Sequence, residues 1–149
     1  MKHFTISELL YSAKHWKRIW NKTTPEVEQN LTALVSAVLD PLREKWGKPI
    51  TVTSGYRCAE LNRAVGGVAT SQHLKGEAAD ICAENPRETA RLGRLLVKSG
   101  TFDQVIFEQS NAEVTECGWI HVSWKRVGEN RHQVLRNPKG TKTYQQISI

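Results

Sequence analysis

Cysteine is scarce and odd in number: Cys58, Cys82 and Cys117 are spread through 149 residues with no C-x-x-C pair. That argues against a disulfide framework and makes three buried thiols the expectation. Long apolar runs are missing too, so no segment approaches the ~20 residues of a membrane span. The opening stretch MKHFTISELLYSAKHW has neither the apolar core nor the small-residue cleavage site of a secretory signal. The expectation is a chain cytoplasmic at synthesis, acting outside the membrane only if released or exported. Like charges never run to five or six. The sequence carries no RNP box and no paired Cys and His of a finger, so no nucleic acid partner is expected. Internal repeats and low-complexity tracts are likewise absent.

What is present fits a globular protein. Apolar residues make up 39% and charged residues 24% of the chain, mixed along its length, and 149 residues suit one hydrophobic core. The net charge of +6 is compatible with an anionic partner such as a phosphate-rich wall, although its sign alone does not choose among anions.

Thr24, Pro25 and Glu26 read as an N-cap, a first-turn proline and an early acid, and the set Val27, Leu31, Leu34, Val35, Val38, Leu39, Leu42 and Trp46 keeps helical spacing afterwards. A kink or break is expected at Pro41, with Gly47 as the stop. A shorter helix is expected to begin near Ser7. PITVTSGYR has the β-branched density of a strand, followed by the polar loop CAELNRAVGGVATSQ. Asn85, Pro86 and Glu88 open a second helix that Gly100 ends. FDQVIFE and WIHVSW alternate as half-buried strands, and a last hairpin is expected around Asn137 to Gly140. Helices and strands are interspersed without repeated βαβ units, which predicts an α+β fold.

Candidate chemistry concentrates in SQHLKGEAAD, Ser71 to Asp80. The carboxylate of Asp80 precedes an apolar pair and is driven toward a buried strand, where it needs a cation, a donor set or a metal. The seven-residue interval to His73 would also suit one helical face, but Gly76 and the β-friendly flanks speak against it. Alternation puts Trp119, His121 and Ser123 on one strand face. His73, Asp80 and His121 could together offer two nitrogens and one oxygen, a set that binds Zn²⁺ with the fourth position left for water. A strand histidine serves equally well as a satisfied core residue, so spacing alone leaves both readings open.

Five blocks taken together, SGYR (Ser54 to Arg57), LNRAVGG (Leu61 to Gly67), SQHLKGEAAD, FDQVIFE (Phe102 to Glu108) and WIHVSW (Trp119 to Trp124), resemble peptidase family M15. This is the family of zinc D-alanyl-D-alanine carboxypeptidases and phage endolysins, and the likeness is to its short single-domain branch. The pattern S-x-H-x-x-G-x-A-x-D is matched at every specified position. The resemblance implies an α+β, hedgehog/DD-peptidase-like fold with a small antiparallel sheet packed against helices. It implies one domain over 1–149, with a helical part at 1–50, a metal-site core at 51–124 and a carboxyl-terminal extension at 125–149. It also implies one Zn²⁺ on His73, Asp80 and His121, peptidoglycan stem peptides as substrates, and Arg57 as the group that binds substrate and polarises the scissile carbonyl. Tyr56, Ser71 and Gln72 are candidates for lining the cleft, each with a structural role as the alternative.

One departure stands out. Many relatives place a glutamate three residues before the last zinc histidine, or a histidine two before it; here those positions hold Gly118 and Trp119. The water-activating role is therefore expected to fall on Glu108, with Glu116 as competitor and Glu77 behind it. The implied function is a zinc metallopeptidase, either a D-Ala-D-Ala carboxypeptidase or an endolysin-type endopeptidase. The alternative is a non-catalytic wall-binding or phage assembly module on the same scaffold.

Overall fold

A computed structural model describes residues 1–10 and 21–149. Helix α1, Ile6–Leu9, is closed at its start by a capping box between Thr5 and Glu8; the rest of the expected first helix lies outside the described residues. Thr24 caps α2, Pro25–Leu34, by accepting from the Val27 amide, and Pro25 occupies the first turn. The helical path then continues through a π-helical turn at Val35–Leu39 into α3, Asp40–Trp46. Pro41 therefore does not break the helix. Because it has no N–H to donate, the hydrogen-bond ladder shifts by one residue before it, and Asp40 donates to the Val35 carbonyl. Gly47 ends this run.

Strand β1, Thr51–Ser54, leads into the SGYR turn. The stretch expected to be a polar loop contains a short helix, α4, Ala59–Ala64; six residues without a side-chain cap leave little periodic signal to read. A single 3₁₀ turn at Gln72–Lys75 carries His73, and β2, Ala78–Cys82, carries Asp80. Asn85 caps α5, Pro86–Ser99, which Gly100 ends. Strands β3, Gln104–Ser110, β4, Trp119–Ser123, β5, Gln133–Pro138, and β6, Gln145–Gln146, complete the chain.

The six strands form one sheet in the order β1-β2-β4-β3-β5-β6. Every pairing is antiparallel except β3 with β5, which is parallel. The class is α+β as expected, but the sheet is mixed rather than purely antiparallel. Within residues 125–149, β5 and β6 add two strands to the same sheet.

Alternation along the strands sorts the sheet into two faces. Ala79 and Ile81 of β2, Val105 and Phe107 of β3, and Ile120 and Val122 of β4 are fully buried. They belong to a core that also takes in Ala90, Leu92 and Leu96 of α5 and Leu31, Leu34, Val35 and Leu39 of the long helical run. Phe107 is the largest of these buried side chains, and cutting it to alanine should cost about 3–5 kcal/mol. The alternate residues Asp80, Ile106, Glu108, Trp119 and His121 line a cleft. The thiols depart from expectation: only Cys117 is fully buried, while Cys58 and Cys82 are half-buried.

Candidate metal centre

Two of the three candidate ligands form a cross-strand pair. Asp80 of β2 lies directly opposite His121 of β4, close enough for their side chains to meet. His121 Nδ1 is 3.2 Å from Asp80 Oδ1. The same oxygen is 3.3 Å from His73 Nε2, and the two imidazoles meet edge to face with centroids 5.1 Å apart. One donor atom from each side chain lies within 4.8 Å of the others, and this is the sole such His, Cys, Asp or Glu group among the described residues.

Local backbone chemistry aims His73. Ser71 Oγ accepts from the His73 amide at 3.2 Å, and Arg57 donates its amide to the His73 carbonyl at 2.9 Å. His73 Nδ1 lies 2.7 Å from the carbonyl oxygen of Gly55. A carbonyl can only accept, so Nδ1 carries the hydrogen and Nε2 turns a lone pair toward Asp80 and His121. Glycine is required at 55, because a Cβ there would collide with the backbone of Leu9. Gly76 ends the 3₁₀ turn at φ 73°, where an added Cβ would also crowd the Val27 carbonyl, and both features disfavour any other residue.

The electrostatics match a cation site. Burial alone would raise the Asp80 carboxyl, but His73 and His121 outweigh it and hold Asp80 well below the usual carboxylate range. Three donors of borderline and hard character converge on one point, and the remaining nitrogen of His73 is fixed by a backbone carbonyl. These residues fit Zn²⁺, which three protein ligands of this kind would hold with one fewer than the usual four.

That cleft has a volume of about 920 Å³ and holds Arg57, Ser71, Gln72, Glu108 and the three candidate ligands along its walls. Glu108 is only 8% exposed. Burial pushes its carboxyl up to about 7, with His121 pulling down and Asp80 pushing up. Arg57 has its own basicity lowered by burial, against the opposing charge of Asp80, and its Nε is buried with no hydrogen-bond partner among the described residues. A guanidinium nitrogen left unpaired inside a cleft is costly unless a ligand completes it.

Several sequence candidates are placed elsewhere. Tyr56 is 7% exposed and belongs to the hydrophobic core, because its ring points inward while Arg57 turns to the cleft. Glu116 is exposed near Arg87, and Glu77 reaches Gln72 at 3.4 Å without entering the cleft wall. The wall also includes residues that the sequence reading did not single out, among them Arg131, Leu135 and Tyr144. Leu135 lies in β5, Arg131 just before it and Tyr144 just before β6, where no motif or spacing marked them.

Comparison with known proteins places the chain by its sequence. The sequence pattern described as peptidase M15 matches residues 2–123. Over 82 residues the chain is 33% identical to the zinc D-Ala-D-Ala carboxypeptidase of Streptomyces albus G, covering 54% of this chain and 31% of that relative. The aligned part spans about a third of the relative's length.

Proposed function

The chain belongs to the peptidase M15 family, and from that membership we propose that it is a zinc metallopeptidase hydrolysing amide bonds of peptidoglycan stem peptides. The observation that carries this reading is the convergence of His73, Asp80 and His121 in a cleft that also holds a buried, weakly acidic Glu108. His73 through Nε2, Asp80 through Oδ1 and His121 through Nδ1 would hold one Zn²⁺. When bound there, zinc supplies Lewis acidity, which polarises a carbonyl and makes water a nucleophile near neutral pH.

The chain's own residues do the rest. Glu108 takes a proton from the attacking water and passes it to the departing amine; a carboxyl near 7 can both accept and release at neutral pH. Arg57 orients the substrate and stabilises the negative charge that grows on the scissile carbonyl oxygen, an interaction strengthened where water is excluded. Ser71 acts through the backbone of His73 rather than as a nucleophile, since it accepts from that amide. Gln72 is engaged by Asp103 and Arg131 and shapes the wall beside His73.

The test is mass spectrometry of purified stem peptides incubated with the protein, with and without a zinc chelator. Chelator-sensitive cleavage is expected, and the fragment masses separate loss of a terminal D-alanine from an endopeptidase cut. Intact peptides across several wall chemistries would contradict the reading and favour a binding module.

A further inference from the structure

Asp103 is fully buried at the start of β3, and it is surrounded by donors. Its carboxylate accepts from Ser123 Oγ at 2.9 Å and Gln72 Nε2 at 3.1 Å. From Arg131 it takes the main-chain amide at 2.8 Å, Nε at 3.1 Å and Nη2 at 2.8 Å. Arg131 Nη2 also reaches Gln72 Oε1 at 3.1 Å, and Gln72 is the residue before His73. The guanidinium is thus clamped along one edge, in a fixed plane, on a carboxylate that cannot move. Its remaining nitrogen, Nη1, has no hydrogen-bond partner among the described residues, and Arg131 lines the metal cleft.

A side chain that served only to neutralise Asp103 would not need to face the cleft. Charge points the same way: the charged walls are Arg57 and Arg131 against Asp80 and Glu108, so a divalent cation on the candidate ligands leaves the cleft net positive. Arg131 lies beyond residues 2–123, where the family match ends, in the segment that leads into β5.

We propose that Arg131 is a specificity-determining residue that binds a substrate carboxylate through Nη1, making the cleft selective for anionic peptides. This rests on the peptidase reading for the location of the substrate. A stem peptide offers two sources of that carboxylate, one on an internal acidic residue and one at its carboxyl terminus. A preorganised, charge-assisted hydrogen bond of this kind should be worth about 10- to 100-fold in affinity.

Three stem pentapeptides separate the sources: one with both carboxylates free, one with the internal carboxylate amidated, and one with the terminal carboxylate amidated. Binding is measured by calorimetry on the zinc-loaded chain carrying Glu108→Gln, and cleavage by mass spectrometry on the wild type. Replacing Arg131 alone would strand buried Asp103, so the paired change Asp103→Asn with Arg131→Gln, added to the Glu108→Gln chain, removes both charges together. One amidation is expected to weaken binding about 10- to 100-fold in the chain that retains Arg131, and that difference should vanish in the paired variant. Indifference to both amidations, or a preference that survives the paired change, overturns the inference while leaving the peptidase reading intact. Arg131-dependent binding without cleavage by the wild type removes the peptidase reading and leaves the carboxylate site standing.

Discussion

Glu108 stands two residues along β3 from Ile106, the residue paired directly with His121 on β4, and both Glu108 and His121 open onto the same cleft. The carboxylate and the imidazole are thus neighbours on one sheet face, brought together by strand parity rather than by a local motif. If Glu108 carries the proton, Glu108→Gln should keep its zinc and lose about 10²- to 10⁴-fold in kcat. In the wild type, kcat/KM should rise with pH along an acidic limb whose midpoint lies between 4.5 and about 7, since a nearby cation favours the carboxylate. Turnover retained in Glu108→Gln would move the role elsewhere.

The same burial has a consequence for stability in the metal-free chain. Glu108 holds its proton to about 7 when folded, against an ordinary value of 4.5, so the folded state binds more protons than the unfolded state between those values. Stability should therefore fall as pH rises through that window, and the full penalty of roughly 3 kcal/mol should be present above it. Metal-stripped Glu108→Gln should exceed the wild type in urea midpoint at about pH 8, with the gap closing toward about pH 4. An equal gap at both values would show that burial of this carboxylate is not its source.

Gly55 governs the aim of His73 through its carbonyl. A methyl group at this position collides with the Leu9 backbone, so Gly55→Ala should cost about 1–3 kcal/mol of stability by overpacking. Displacing the acceptor should also weaken zinc binding about 10- to 100-fold. Thermal denaturation and zinc titration check the two effects separately, and an unchanged zinc affinity would show that the Gly55 carbonyl does not orient the ligand.

Asp103 anchors Arg131, which lines the cleft. Burial pushes its carboxyl up, but hydrogen bonds from Arg131, Ser123 and Gln72 more than offset that and hold it well below the usual range. Its contribution is present above the ordinary carboxylate value and should be lost as pH falls below about 4. Asp103→Ala, which removes the acceptor shared by Arg131, Ser123 and Gln72, should cost about 1–3 kcal/mol. Urea denaturation should show a shallower acid dependence in Asp103→Asn than in the wild type.

Much of the local structure was legible because it rests on short-range chemistry. Thr24 with Pro25, and Asn85 with Pro86, announce helices through their caps, and FDQVIFE and WIHVSW alternate openly as strands. The same alternation put Glu108 and His121 on faces that could coincide. What remained hidden depends on long-range pairing. No local signal specifies that β5 joins β3 in parallel, so the cleft wall made by Arg131, Leu135 and Tyr144 could not be read from the sequence. Asp103 and Arg131 are separated by 28 residues and belong to no shared motif. Tyr56 misled for the opposite reason: adjacency to Arg57 in SGYR suggested a shared role, whereas in the turn after β1 the ring packs into the core and Arg57 lines the cleft.

The central claim is that His73, Asp80 and His121 together hold the metal, and zinc titration of the metal-stripped chain by calorimetry tests it most directly. One zinc per chain is expected in the wild type, with loss of that tight site in each of His73→Ala, Asp80→Ala and His121→Ala and with circular dichroism confirming that each variant is folded. Full, tight occupancy in any one of the three folded variants would contradict the ligand assignment and, with it, the chemistry built on the cleft.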